Sequence, residues 1–390
     1  MAVCFKQKRM RLSGTTIGFL AENPLEDKRA FSGTMYSMVK ALESTGARVV
    51  RIPVDSSSSL RKLYMRAVKY IGKLFPPLKG RFGKLLVWKS RIAARKLDLN
   101  LIDNCDVIFA PIQSGALFFL RTNKPIVYLS DATFHAMIDY YWFDYPKRDI
   151  EELEMIQKTA LDKAAALIYP CRWAADSAVS DYGQPREKIT LAYFGPNLDV
   201  KKISSQVFSF DGHLDLLFVG VDWKRKGGDI AVGACKWLNE NGIDATLHVV
   251  GIKSLDPNIS SLPYVENHGF LNKNNPEEYS KIMSLYNQAD CFLLPTLAEC
   301  TGISFCEASA YGLPCFTHDT GGVSDYVIEG QSGRLLPLGS TGEDFGRVIK
   351  NSIESGEMEL FSKGARQVVD ERLSWELWAE TVAGVIEKLI

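Results

Sequence analysis

The sequence predicts an α/β protein made of two Rossmann-like domains facing a cleft. Three observations carry this reading. Short apolar runs alternate with stretches of helical period, the pattern of parallel strands buried on both faces by crossover helices. At 390 residues the chain exceeds the size at which one core stops growing, so two domains are expected. The stretch Gly195–Gly212 holds Pro, Asn, Asp and Ser without a clear period and reads as a linker. The chain then divides into residues 1–197, residues 198–370 and a last helix, 371–390, whose Trp375 and Trp378 suit it to pack back on the first domain.

In the first domain the apolar runs predict strands at Thr16–Leu20, Arg48–Pro53, Asp106–Pro111, Ile126–Ser130, Ala165–Pro170 and Ile189–Tyr193. A helix from Thr34 to Ser44 follows the loop RAFSG and ends at Gly46, a plausible C-cap. The second domain repeats the pattern with strands at Leu214–Gly220, Ala245–Gly251, Asp290–Pro295, Pro314–Thr317 and Arg334–Pro337. A ligand site between two such domains is expected.

Hydrophobic content of 46% and charged content of 24% fit a soluble globular protein. Net charge is zero but uneven. Residues 1–200 hold 30 Lys and Arg against 20 Asp and Glu, and the second half carries the reverse excess. The eight cysteines form no C-x-x-C pair, and Cys291 and Cys315 lie in apolar strands. Reduced core thiols and a reducing compartment follow. The basic start, MAVCFKQKRMRLSGTTIGFLAEN, has too short an apolar run for a signal peptide, and no run of about 18 apolar residues predicts a membrane span. We expect a cytoplasmic protein, with peripheral contact to a membrane as a variant of that expectation.

That variant rests on residues 56–97, which contain no Asp or Glu; residues 61–96 contain 12 Lys and Arg. Leu60, Leu63, Tyr64, Ala67, Val68, Ile71, Leu74 and Phe75 recur at helical spacing, Pro76–Pro77 ends the helix, and a second basic helix runs from about Lys84 to Leu97. The plain reading is a core-facing stripe with a solvated basic back. The functional readings are docking on an anionic membrane or on an anionic acceptor. No nucleic-acid-binding motif accompanies the cations, so nucleic acid is not expected as a partner.

The most informative stretch is Leu293 to Gly322, LLPTLAECTGISFCEASAYGLPCFTHDTGG. A strand runs into a loop holding Glu299, then into a helix bearing Glu307. Ligands of open α/β sheets bind at the carboxyl ends of strands, and a helix N-terminus there offers amides to an anion. A phosphate alone has no use for two carboxylates, but sugar hydroxyls need acceptors. The combination suggests a site for a sugar nucleotide. The competing reading of Glu307 is a capping box with Ser304, three residues earlier.

These residues resemble the retaining glycosyltransferases of the GT-B class, in the group 1 or family 4 (GT4) branch. The E-x7-E motif is Glu299 to Glu307. The diphosphate-loop motif stands as F-V-G-V-D-W-K-R-K-G-G-D, Phe218 to Asp229, and T-G-G as Thr320 to Gly322. The resemblance is strong over residues 214–340; in the first half it rests on architecture and Ser32–Gly33. It implies that Glu307 holds the ribose hydroxyls and Glu299 contacts the donor sugar. It implies that the backbone of Gly302, Ile303 and Ser304 touches sugar and diphosphate, that Lys226 neutralises the departing diphosphate, and that Gly33 lets its loop approach the phosphates. Backbone from His268 to Leu271, with Phe270 at its centre, would meet the base. Two departures stand out. Relatives carry an Arg where this chain has Val221, so Lys224 or Arg225 would stand in. Relatives also carry a His just after the fourth strand, where this chain offers Asp131 or His135.

The resemblance implies transfer of a sugar, with retention, from a nucleotide donor to a glycan, lipid-linked or protein acceptor. A UDP-sugar is the first choice of donor and GDP-mannose the second. The donor is a substrate and no cofactor is expected. The chain has no D-x-D pair to clamp the diphosphate through a metal; Lys226 and helix amides would supply the positive potential. The rivals are a sugar-nucleotide epimerase of the same architecture and a non-catalytic carbohydrate-binding protein.

Overall fold

The computed structural model describes residues 11–75, 83–199 and 207–390. Its strands are β1 (Thr16–Ala21), β2 (Arg48–Pro53), β3 (Val107–Pro111), β4 (Ile126–Leu129), β5 (Ala166–Tyr169), β6 (Ile189–Leu191), β7 (His213–Val219), β8 (Asp244–Val250), β9 (Val265–Asn267), β10 (Cys291–Leu293), β11 (Cys315–His318) and β12 (Gly333–Leu336). Every expected strand is present within a few residues. The strand missed in the sequence is β9. Of its three residues only Val265 is buried, and it pairs at the sheet edge, Leu247 with Val265 and Val249 with Asn267. So short a run has no period to read.

Contacts divide the chain into two units. The first comprises residues up to Asp27, Met35–Ala192 and Ala379–Ile390; the second comprises Lys28–Thr34 and Tyr193–Trp378. This differs from a single cut at residue 197. The short segment Lys28–Thr34 goes with the second unit because that unit holds it. Asn197 donates through Nδ2 to Ser32 O at 3.1 Å and to Thr34 Oγ1 at 2.9 Å, and Lys28 N donates to Asn274 Oδ1 at 3.1 Å. At the other end of the chain, Arg11 Nη2 meets Glu387 Oε2 at 2.6 Å inside the first unit.

The first sheet is all parallel in the order β2-β1-β3-β4-β5-β6, with Leu20, Ile52, Ile108, Tyr128 and Leu167 in its core. The second runs β12-β11-β10-β7-β8-β9, also parallel. Strand order reverses between β1 and β3 in one and between β7 and β10 in the other. Open α/β sheets hold ligands outside the carboxyl ends of strands at such a point. The described cysteines are all buried, as expected of core thiols.

The basic helix spans Ser59–Leu74, capped by Ser58, whose side chain accepts from Arg61 N. Pro76–Pro77 lies outside the described residues, as do the chain start and residues 200–206 of the linker. The core-facing reading of its apolar stripe is overturned. No residue of the helix is buried, and Leu60, Leu63, Tyr70 and Leu74 are each more than 60% exposed. Only Arg61, Tyr64, Met65, Val68, Ile71 and Gly72 are half-buried, with Tyr64 OH donating to Gly83 O and Arg61 Nε to Lys84 O. The packed face is thus a narrow strip, and the larger apolar residues stand beside it. A sequence period reveals faces but not which face finds a partner. No described helix is long and apolar enough to cross a membrane.

Candidate active site

The site is built from the loops that follow β7 and β10. After β7 the chain turns through Asp222, whose carboxylate accepts from Arg225 N at 3.1 Å and whose carbonyl accepts from Lys226 N at 3.0 Å. Gly227 closes the turn at φ 73° and caps the helix Gly228–Glu240. A Cβ on Gly227 would lie 2.0 Å from Pro295 O, so the contact of this loop with the one after β10 demands glycine. Gly228 lies under Trp223 in the same way, and Trp223 Nε1 donates to Asp229 Oδ1 at 2.8 Å.

Hydrogen bonds then lace the two loops together. Leu297 N donates to Arg225 O at 2.8 Å, Thr296 Oγ1 to the same carbonyl at 3.3 Å, and Arg225 Nη1 to Ala298 O at 2.9 Å. The Thr320–Gly322 turn joins them, with Gly322 N donating to Glu299 O at 3.2 Å and Thr320 Oγ1 to Leu297 O at 3.4 Å. Backbone held this way fixes where the side chains point. Lys226 Nζ and Glu299 Oε2 form a direct ion pair, each residue 8% exposed, and Arg225 Nη1 lies 3.9 Å from the same oxygen. Of the two cations weighed for this position, Arg225 reaches Glu299, whereas Lys224 is exposed and contributes its carbonyl to Gly227 N.

Gly302 begins the next helix, Ile303–Ala310, at φ 81°; a Cβ there would meet the Phe305 ring at 2.4 Å. Ile303 and Ser304 are half-buried and supply the first amides of the helix, where no preceding turn can accept them. No side chain caps this helix, so the capping-box reading of Ser304 and Glu307 does not hold. Glu307, 3% exposed, instead pairs through Oε1 with Lys273 Nζ and accepts through Oε2 from Tyr286 OH at 3.1 Å. Burial, and then the Glu307 charge, push the Tyr286 phenol far above its ordinary range, so it remains a donor.

Lys273, the partner of Glu307, was not singled out in the sequence. Its only signal is position, in the Asn-rich turn NKNN shortly after β9. That turn is ordered by Asn272 N donating to Glu278 Oε2 at 2.7 Å. Phe270, expected near a base, is 44% exposed, with Lys253 Nζ 5.9 Å from its ring. Gly33 also belongs to this unit. It ends three successive residues of positive φ, Phe31, Ser32 and Gly33 at 50°, 57° and 93°. Asp131 and His135 lie in the first unit. Asp131 is half-buried; His135 is exposed, with Nδ1 3.1 Å from Glu154 Oε1, so its ring already has a carboxylate partner.

Chemically, the second unit collects two buried carboxylates, two buried or half-buried lysines and the open end of a helix at the switch point of one sheet. This pairs anion-binding groups with hydroxyl acceptors. Two family models match the chain on either side of the linker. Residues 33–200 match Glycosyltransferase Family 4, and residues 199–368 match Glycosyl transferases group 1. The chain belongs to the group 1, family 4 type of glycosyltransferase.

The relatives agree with this GT4 assignment. The chain is 24% identical over 364 residues to the amylovoran biosynthesis glycosyltransferase AmsK of Erwinia amylovora, covering 87% of this chain and 85% of that protein. It is 26% identical over 191 residues to the D-inositol 3-phosphate glycosyltransferase of Paenarthrobacter aurescens, covering 46% and 47%. The chain spans about half the length of several curated relatives it matches. Among solved structures, sucrose-phosphate synthase from Thermosynechococcus elongatus shares the fold at TM-score 0.66 and 14% identity, over 96% of this chain and 99% of that one. Anabaena HepE, solved in complex with UDP and glucose, shares it at TM-score 0.63 and 15% identity, over 96% and 100%. The fold of this GT4 member is therefore the GT-B fold of two parallel α/β units.

Proposed function

We propose that this GT4 member moves a sugar from a nucleotide donor, a UDP-sugar, to an acceptor hydroxyl with retention and without a metal on the diphosphate. One observation carries the reading: the loops after β7 and β10, the switch-point strands, pair Lys226 with Glu299 just before the helix Ile303–Ala310, which bears Glu307. HepE was solved with UDP, which favours uridine. Glu307 accepts from the ribose hydroxyls and Glu299 from the sugar. Breaking the sugar–phosphate bond builds negative charge on the departing diphosphate, and a fixed lysine with helix amides stabilises that charge without reorganisation. Before the donor arrives Glu299 holds Lys226 in position; the diphosphate then competes for the ammonium and frees Glu299 for the sugar. The leaving phosphate takes the acceptor proton on the same face, which retains configuration. A thermal-shift panel of UDP, GDP, ADP and their sugars tests the donor, because a ligand that binds only the folded state raises its stability. Released nucleotide and the anomer of the product test transfer. A shift with UDP-sugars but no acceptor-dependent turnover would favour an epimerase, and no nucleotide shift would favour a carbohydrate-binding protein.

We further propose that the helix Ser59–Leu74 rests on an anionic bilayer. At about 100° per residue its exposed residues form two stripes on either side of the packed strip. Leu60, Leu63, Ala67, Tyr70 and Leu74 make one, and Lys62, Arg66, Lys69 and Lys73 the other. The helix contains no carboxylate. An apolar stripe beside a cationic one matches an interface where acyl chains lie beneath anionic headgroups. A lipid-linked acceptor would meet the enzyme at that surface.

A further inference from the structure

Three of the chain's five histidines, His213, His248 and His268, fall on β7, on β8 and just beyond β9 of the second sheet. His213 and Asp215 lie two apart on β7, His248 on β8, and Glu266 on β9, with His268 just beyond it. Strand register places His248 beside Leu217 and Glu266. Because side chains alternate along a strand, H-x-D and E-x-H each send both groups to the same side.

We propose that His248, Glu266 and His268 bind one divalent ion of the zinc type. Their ligand atoms converge. His248 Nδ1 lies 3.1 Å from His268 Nε2 and 3.4 Å from Glu266 Oε2, and His268 Nε2 lies 3.9 Å from that oxygen. Ligands on a tetrahedral ion with bonds of about 2.0–2.1 Å stand about 3.4 Å apart. The three atoms therefore bracket an ion with small adjustments, chiefly of Glu266, whose side chain is 59% exposed.

The remaining nitrogen of His248 supports the same conclusion. Its Nε2 is 2.8 Å from Asp215 Oδ1, which accepts the ring proton there and leaves a lone pair on Nδ1. That lone pair faces His268 Nε2 and the Glu266 carboxylate, a place that either a proton on His268 Nε2 or a cation can fill. A carboxylate on the outer nitrogen of a ligating histidine is the arrangement that orients metal-binding rings. Asp215 is itself positioned by His213, whose Nε2 lies 3.3 Å away and whose Nδ1 lies 2.9 Å from Asp244 Oδ2. Two imidazoles and a carboxylate suit zinc and its first-row neighbours better than calcium or magnesium, and leave a fourth position for water. The exposed Glu266 side chain leaves the cluster open to an ion from solvent. Bound there, the ion would clamp the three-residue edge strand β9 to β8. This role is separate from the chemistry at Lys226.

The test uses the untagged full chain, stripped with a chelator, dialysed, and titrated with zinc sulfate against a chromophoric competitor. We expect one equivalent per chain, an affinity at least a hundredfold weaker in H248A/H268A, and a ten- to hundredfold loss in D215N. Zinc should raise the melting temperature of the wild type and not of the double variant. Circular dichroism checks that the variants fold. Should H248A/H268A fail to fold, E266Q replaces one exposed ligand atom and should still weaken zinc at least tenfold. Zinc uptake that is absent in the wild type, or equal in wild type and ligand variants, would show a hydrogen-bonded cluster only and overturn the proposal. The readout does not depend on turnover, so it stands apart from the proposed transfer reaction.

Discussion

Replacing Glu307 by alanine should cost both stability and donor binding, and the two losses can be separated. Glu307 is 3% exposed and satisfies Lys273 Nζ and the hydroxyl of the fully buried Tyr286. Removing one partner of a buried ion pair costs about 3–5 kcal/mol. Lys273, whose side chain is 19% exposed, can turn partly to water, which puts the cost near the lower end. A loss of about 3 kcal/mol lowers the melting temperature of a unit of this size by roughly 6–12 °C, and native stabilities of about 5–15 kcal/mol absorb it. UDP at a hundred times its dissociation constant adds about 2.7 kcal/mol to the wild type. Differential scanning fluorimetry with and without UDP then reads both terms. E307A should melt lower and lose the UDP increment. Y286F, which removes one bond to Glu307 behind the site, should melt lower by a few degrees and keep the increment. An E307A protein that retains the full UDP shift, or melts like the wild type, would refute the ribose assignment or the buried pair respectively.

Lys226→Met should lower kcat by roughly 10²–10³, the scale for loss of one fixed charge-stabilising group, and leave circular dichroism unchanged because Arg225 stays beside Glu299; turnover within tenfold of wild type would reject the role. Turnover should continue in EDTA; loss restored by Mg²⁺ or Mn²⁺ would show that a metal, not Lys226, meets the diphosphate. Burial raises the Asp290 carboxyl to about 6. Its folded pKa thus lies above its unfolded one, and stability falls as pH rises from about 4 to 6. Asp290→Asn should therefore raise the melting temperature at pH 8 and have little effect at pH 4, and equal effects at both would contradict this. The wild type should sediment with anionic but not neutral vesicles at low salt. K69Q/K73Q should weaken that binding by about 2 kcal/mol, roughly thirtyfold, and equal sedimentation with both vesicle types would rule out the bilayer.

The sequence by itself determined the two sheets and the loops that make the site. Parallel strands buried on both faces read as continuous apolar runs, and these runs located eleven of the strands. Gly227 and Gly302 stood out in the sequence only within the K-G-G and T-G motifs; the structure supplies the reason, a left-handed turn and a close approach that suit glycine at each position. Tertiary structure decided the pairings. Lys226 with Glu299 and Lys273 with Glu307 join residues 73 and 34 positions apart, and no local pattern encodes which lysine meets which glutamate. The same holds for Asp215, His248, Glu266 and His268, which strand register alone brings to one face. It holds too for the helix Ser59–Leu74. Periodicity drew its stripes, but only packing determined that the strip of Tyr64, Met65 and Val68 would be covered and that the leucines would face outward. Local sequence fixes backbone conformation through sterics and burial through period; partnership between distant side chains depends on the free energy of the whole fold.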